Sequence, residues 1–125
     1  TGVWICCQAV IPVMLKQGRG SIVNLSSVAG QRGGGLLGTA AYSTSKGAVI
    51  ALTKALAREF ARAGIRVNAV SPSLTMTDLA QRQLQRLPEG TIDRVIAVTP
   101  MGRVAQPDEI AAVVAFLASD DASFV

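Results

Sequence analysis

Two short apolar segments on either side of a long helical one limit the fold of this chain more than any other feature. The segments IVNL (22–25) and IRVNAVS (65–71) are short apolar runs close to glycine or proline, a pattern typical of buried strands. The sequence from 42 to about 62 instead places apolar and small residues at helical spacing. A strand, a helix and a strand at this spacing predict a right-handed βαβ unit in a parallel sheet, and therefore an α/β fold.

Further helices are predicted around this unit. The run VWICCQAVIPVMLKQ (3–17) is apolar nearly all round, which predicts a buried helix that is bent at Pro12 and covered on two sides, by its own sheet and by a neighbour or partner subunit. Residues 74–99 predict one or two short, irregular helices, broken at Pro88-Glu89-Gly90. The segment PDEIAAVVAFLAS (107–119) predicts another helix, with a proline in its first turn and acidic residues near the positive end of its dipole.

The predicted sheet is too small to be stable alone, because strands that are buried on both faces need neighbours on each side. The chain starts without Met, directly in the apolar helix, and it stops on Phe124-Val125. We therefore expect a partial doubly wound parallel sheet with flanking helices, truncated at both ends.

Composition argues against several kinds of site and partner. The chain has no histidine, which removes most zinc sites and the nucleophile systems that depend on a histidine base, so we expect no metal. The 12 Lys and Arg outnumber the 8 Asp and Glu, but they are scattered and no aromatic residues lie among them, so we expect no nucleic-acid partner. The apolar run at 3–15 is too short to span a membrane. Cys6 and Cys7 lie side by side in that run and are predicted to be buried structural thiols, which fits a cytoplasmic protein.

The only tyrosine of the chain stands four residues before a lysine, in TAAYSTSKGAVIALTKALA (39–57). Residues i and i+4 share one face of a helix, so Tyr42 and Lys46 can point at one bound molecule. Ser27 follows the first predicted strand and should meet them from the sheet, since ligands bind beyond the carboxyl ends of parallel strands. Each residue also has a purely structural interpretation: a tyrosine packed on the sheet, a solvated lysine, and a serine that satisfies backbone groups.

The order and spacing of these segments resemble the short-chain dehydrogenase/reductase family along the whole chain. The resemblance is carried by IVNLSS, Tyr42-x-x-x-Lys46, RVNAVSP and MGRVAQPDEIAAVVAFLASDDASFV. It implies a Rossmann-like fold and an oxidoreductase that interconverts an alcohol and a ketone or aldehyde, with NAD or NADP as cofactor.

The resemblance also implies a role for each site residue. Ser27 would donate a hydrogen bond to the substrate oxygen, and Tyr42 would transfer the proton. Lys46 would hold the nicotinamide ribose and stabilise the deprotonated phenol. Thr77 could equally cap the helix that follows it. The predicted cofactor-binding residues are Tyr42, Lys46, Pro72, Ser73, Thr75 and Thr77.

Two features depart from the family pattern. Ser73 follows Pro72, where the family's turn usually has glycine, and this weakens the expected backbone contact with the nicotinamide. The spacing from Ser27 to Tyr42 is longer than in common members. The excess lies in Gly33-Gly34-Gly35 and implies a longer loop near the substrate entrance.

The resemblance places several expected parts outside this sequence. A glycine-rich phosphate loop, the residue that selects NAD or NADP and an Asn-Ala-Gly segment would precede residue 1, and a final strand would follow residue 125. We therefore interpret residues 1–125 as the C-terminal part of a single catalytic domain and expect the isolated chain to be inactive.

Three alternative functions are open to the sequence. Ser43-Thr44-Ser45-Lys46 fits the S-x-x-K pattern of serine acyl-transfer enzymes, but the partner motifs are missing. Gly30 to Gly35 could cradle a phosphate, but no Lys-Ser/Thr follows at P-loop spacing, so an entrance loop is favoured. The third alternative is a non-catalytic fragment that serves as a binding or assembly module.

The substrate is predicted only as a small-molecule alcohol or carbonyl compound; sugars, polyols, oxoacyl thioesters and steroids all fit. Residues 31–38 and 74–101 are expected to line the pocket. The apolar candidates in these segments are Leu36, Leu37, Leu79 and Leu84.

The protein is also predicted to be a homo-oligomer, a dimer or a tetramer. The apolar first helix and a small-residue face on the second, with Ala48, Ala51 and Ala55, suggest a helix-bundle interface as in tetrameric members of the family.

Overall fold

The computed structural model describes residues 2–34 and 38–125. Two strands, β1 (Gly20–Leu25) and β2 (Ile65–Val70), pair in parallel, with a register that runs from Gly20 opposite Ile65 to Leu25 opposite Val70. The helices are α1 (Gly2–Gln17), α2 (Val28–Arg32), α3 (Ala40–Phe60), α4 (Asp78–Leu84), α5 (Thr91–Ala97) and α6 (Pro107–Ala118), with short 3₁₀ turns at Ala61–Ala63 and Asp120–Ala122.

The parallel pairing with a helical crossover confirms the predicted α/β fold. Its core lies on one face of the sheet, where α1 and α3 pack on the two strands; the buried cluster consists of Cys7, Ile11, Leu56, Ile65 and Val67. Residues alternate between the two faces of a strand, so β2 turns its polar side chains the other way, towards α6.

α6 is tied to that second face by its carboxyl end. Arg66 Nη1 donates to the carbonyl of Leu117 at 2.8 Å, and its Nη2 donates to the carbonyl of Ser119 at 2.9 Å. Ser21 Oγ also donates to the Leu117 carbonyl, at 2.9 Å. A guanidinium at this position satisfies free carbonyls and favours the negative end of the helix dipole.

α1 differs from its prediction. Only Cys7 and Ile11 are buried, whereas Trp4, Ile5 and Val13 are about half exposed. Within this chain one side of the helix is therefore covered, and the covering of its second side by a neighbour or partner subunit stays a prediction. Cys6, predicted to be buried, is exposed, because its neighbour Cys7 takes the core-facing position. The helix runs through Pro12 without ending.

The segment predicted as a glycine-rich loop contains a helix. α2 begins at the cap Ser27 and ends at Gly33, whose φ of 80° is the left-handed conformation that favours glycine. α3 begins at Ala40 with Thr39 as its cap, two residues before the predicted start. The predicted break at 88–90 is confirmed, and Gly90 precedes α5 with a φ of 74°.

Among the described residues, no helix is both long and apolar enough to cross a bilayer.

Candidate active site

The parallel pairing continues past the carboxyl ends of the two strands. The backbone N–H of Ser26 donates to the carbonyl of Val70 at 2.8 Å, and that of Val28 donates to the carbonyl of Pro72 at 3.1 Å. These bonds bring Ser27 and Pro72, both predicted site residues, to the same edge of the sheet.

Lys46 reaches this edge from α3. Its Nζ donates to the carbonyl of Leu25, the last residue of β1, at 2.8 Å. Its own carbonyl accepts a hydrogen bond of 2.8 Å from the hydroxyl of Ser26, which is buried. The two bonds fix both the main chain and the side chain of Lys46 against the strand end that leads into Ser27.

Tyr42 lies one helical turn before Lys46 on the same face. The Lys46 Nζ is 5.8 Å from the centroid of the Tyr42 ring. Tyr42 is 45% exposed, so its ring projects beyond the packed part of the chain. A phenol and an ammonium group thus face the same region of space beyond the carboxyl end of β1.

Ser27 is buried and has a structural task, because its hydroxyl oxygen accepts a hydrogen bond of 3.2 Å from the backbone N–H of Ala29 and caps α2. This is the structural interpretation that the sequence left open. A hydroxyl that accepts in this way keeps its own proton as a donor. The cap therefore orients Ser27 without using its donor capacity.

The residues after β2 form an ordered turn. Thr75 Oγ1 donates to the carbonyl of Ser73 at 3.2 Å, and Thr75 pairs with Ala105 in a short parallel bridge.

Thr77 has the structural role that the sequence allowed as an alternative: its Oγ1 accepts from the backbone N–H of Ala80 at 3.1 Å and caps α4. Pro72 contacts the Ser27 edge directly, whereas Thr77 lies further along the chain.

A cavity of about 410 Å³ lies between this turn, α4 and the start of α3. Leu79, predicted to line it, is 66% exposed and does not. The predicted Leu36 and Leu37 fall outside the described residues. The lining residues are Gly38, Thr39, Leu74, Ala80, Gln83, Leu84, Arg86 and Leu87.

Two alternatives are disfavoured by packing. Ser43, the serine of the S-x-x-K pattern, is only 6% exposed, and its hydroxyl has no hydrogen-bond partner in the part of the chain that the structure describes. A nucleophile must reach its substrate, which this serine does not. Gly30 belongs to α2 and lies against the backbone of Lys46, so it does not form an open phosphate cradle.

The contacts of four residues near the site were missed by sequence reasoning. Ser26 and Gly30 hold α2 and β1 against Lys46. Arg103 pairs with Glu109 at the start of α6, and the hydrogen bond from this guanidinium, with one from the Gln106 N–H, lowers the pKa of Glu109 to about 2. Glu109 three residues after the cap position Gln106 is a recognisable helix-start signal, whereas the contacts of Ser26 and Gly30 have no local signal.

The chain is similar to proteins of one enzyme family. The family described as Enoyl-(Acyl carrier protein) reductase matches residues 1–125. The 3-oxoacyl-acyl-carrier-protein reductase of Thermotoga maritima is 44% identical over 124 residues, which are 99% of this chain and 48% of that protein.

Two solved structures are also similar. A NAD⁺-bound xylitol dehydrogenase has a TM-score of 0.91 and 39% identity, and the match covers 100% of this chain and 52% of that one. A Beutenbergia cavernae protein with NADP at low occupancy, described as a putative NAD(P) dependent gluconate 5-dehydrogenase, has a TM-score of 0.88 and 37% identity, and the match covers 98% of this chain and 47% of that one.

The chain spans about half the length of the curated relatives it matches. It belongs to the short-chain dehydrogenase/reductase family.

Proposed function

We propose that the protein carrying this chain is an NAD(P)-dependent oxidoreductase that interconverts an alcohol and a ketone or aldehyde. The observation that supports it best is the Tyr42 ring at 5.8 Å from the Lys46 ammonium, which is itself held at the strand end next to Ser27. Family membership adds to this support, since its relatives include oxoacyl reductases and hydroxysteroid dehydrogenases.

The residues of the site fit a nicotinamide cofactor, NAD or NADP. A lysine ammonium has three donors, and in the described residues one of them is used, by the Leu25 carbonyl. The others are free for the hydroxyls of a ribose. Pro72, Ser73, Thr75 and Thr77 follow β2 at the edge where cofactors bind in parallel sheets, and we propose that they hold the nicotinamide. When bound, the cofactor supplies or accepts the hydride.

The chain's own residues manage the proton and the charge on oxygen. Carbonyl reduction places negative charge on the substrate oxygen, which needs a proton donor and a hydrogen-bond donor already in position. We assign the proton to the Tyr42 hydroxyl and the hydrogen bond to the Ser27 hydroxyl. Lys46 favours the deprotonated phenol by its positive charge.

The cavity beside Thr39 is the proposed substrate pocket. Leu74, Leu84 and Leu87 offer it apolar surface, while Gln83 and Arg86 add polar groups at α4 and just after it. Such a lining suits a small molecule with a carbonyl group and a mixed polar and apolar body. A panel of sugars, polyols, oxoacyl thioesters and steroids, tested with both nicotinamides, will identify the class.

We further propose that residues 1–125 are the C-terminal part of a single catalytic domain. Sequence outside them would then supply the phosphate-binding half and the final strand, so these residues alone are expected to be inactive. The free thiols of Cys6 and Cys7 favour a cytoplasmic location.

The proposal is tested by Tyr42→Phe in the full-length protein. We expect the fold to be kept and turnover to fall by about 10²–10⁴-fold, the contribution of a positioned proton donor. Turnover is followed by nicotinamide absorbance and the fold by circular dichroism.

The matched control is the neighbouring Ser43→Ala, which should keep its turnover. A folded Tyr42→Phe variant with near wild-type activity would contradict the proposed proton transfer. A wild-type protein that is inactive with every substrate would favour the non-catalytic binding or assembly module, and loss of an ester-cleaving activity in Ser43→Ala would favour acyl transfer.

A further inference from the structure

An ion pair joins Arg103, which precedes α6, to Glu109 in the first turn of α6. Arg103 Nη1 donates to Glu109 Oε2 at 2.8 Å, and Nη2 donates to Oε1 at 2.5 Å, so the pair is bidentate. Glu109 Oε2 also accepts a hydrogen bond of 2.8 Å from the backbone N–H of Gln106. Residues 103–106 are therefore held at both ends by one carboxylate.

Ala105, which lies between Arg103 and Gln106, supports the turn after β2. The backbone N–H of Ala105 donates to the carbonyl of Leu74 at 3.0 Å, and the backbone N–H of Met76 donates to the carbonyl of Ala105 at 2.8 Å. These bonds form the bridge in which Thr75 lies opposite Ala105. The segment from Leu74 to Thr77, which contains Thr75 and Thr77 of the proposed nicotinamide site, is thus fastened to residues 103–106.

We infer that Arg103 and Glu109 are positioning residues for the cofactor site, acting through Ala105 on the Leu74–Thr77 segment. This inference rests on the proposed function. Their side chains are 48% and 43% exposed, and a pair in water adds little to global stability. A bidentate pair does, however, fix the geometry of a short loop. Its loss should therefore weaken cofactor binding while the fold and the chemistry at saturating cofactor are preserved.

The test uses the full-length protein and four variants. Glu109→Gln and Arg103→Gln each remove the pair, and the double variant R103E/E109R restores it with reversed charges. Asp108→Asn is the matched control, because it removes a charge from the same turn of α6 without touching the pair. NADH and NADPH dissociation constants, kcat and KM are measured, together with thermal stability and amide exchange at Met76 and Ala105.

We expect Glu109→Gln and Arg103→Gln to weaken cofactor binding roughly three- to tenfold, with kcat changed less than about twofold. Their Met76 and Ala105 amides should exchange faster than in the wild type. R103E/E109R should recover part of the affinity, and Asp108→Asn should match the wild type.

Unchanged cofactor affinity in both single variants, with a wild type that binds a nicotinamide, would overturn the inference alone. So would a parallel loss of thermal stability, kcat and affinity, which indicates a general structural role. A wild type that binds neither nicotinamide would overturn the proposed function as well.

Discussion

Lys46 combines a structural contact with a free charge. Its Nζ is held by the Leu25 carbonyl and lies 5.8 Å from the centroid of the Tyr42 ring. At that distance a unit charge stabilises a phenolate by ~0.7 kcal/mol in water and by ~3 kcal/mol at an effective dielectric constant near 20. Tyr42 is 45% exposed here, so the larger effect needs a bound molecule that covers the ring.

Lys46→Ala in the full-length enzyme tests this charge. Without the ammonium beside the ring, negative charge on the phenol loses its nearest positive charge, so turnover in alcohol oxidation should fall by roughly tenfold or more. Cofactor KM should also rise, since the proposed ribose contact is lost. Lys54→Ala, exposed two turns further along α3, is the control and should leave both unchanged. Unaltered turnover and cofactor KM in Lys46→Ala would contradict its proposed role.

Among the secondary-structure elements, α2 connects the position of Ser27 to that of Lys46, because Ser27 caps this helix and Gly30 within it lies against the backbone of Lys46. A Cβ added to Gly30 would lie 2.6 Å from the Lys46 carbonyl carbon and 2.7 Å from the Gly47 nitrogen. Both are backbone atoms, so neither can rotate away. The close approach of α2 and α3, and with it the position of Ser27, therefore depends on glycine at this position.

We predict that Gly30→Ala destabilises the full-length protein by about 1–3 kcal/mol, the usual cost of overpacking, and lowers turnover in addition. The free energy of unfolding is measured by denaturant titration, and kcat by nicotinamide absorbance. Gly2→Ala is the matched control, because a Cβ there meets nothing within 4 Å. Equal stability and activity in the two variants would show that α2 and α3 can separate without consequence.

The oligomeric state of the whole molecule depends on what covers the exposed side of α1. Ile5 and Val13, on the side of the helix that faces away from Cys7 and Ile11, are 57% and 54% exposed. Large apolar side chains exposed on one face of a helix are typical of a surface that a partner covers. This supports the proposal that the intact protein is a dimer or a tetramer.

The double substitution I5E/V13E should therefore reduce the molar mass of the intact protein in sedimentation experiments, because two carboxylates oppose the burial of this face. Arg82→Glu is the control, since it makes the same change in net charge on an exposed position of α4 and should leave the mass unchanged. A monomeric wild type, or an unchanged oligomer in the double variant, would contradict the proposed interface.

The features that could be predicted from the amino-acid sequence are local in origin. The βαβ unit follows from the period of apolar residues along each segment, and the shared face of Tyr42 and Lys46 follows from helical geometry over one turn. The limits of the prediction are local as well. Gly30 within α2 and the glycines that follow the helix disfavour a helix by propensity, so the sequence suggested a loop.

Tertiary structure decided the rest, because the deciding contacts join residues far apart in the chain. α2 exists between the Ser27 cap and Gly33 because it packs on α3. Two hydrogen bonds form only after the strands and helices have packed together. One runs from the Ser26 hydroxyl to the Lys46 carbonyl, and the other from the Ala105 N–H to the Leu74 carbonyl. Periodicity shows which side of a segment is apolar, whereas the covering of that side, as on α1, depends on what the rest of the fold brings against it.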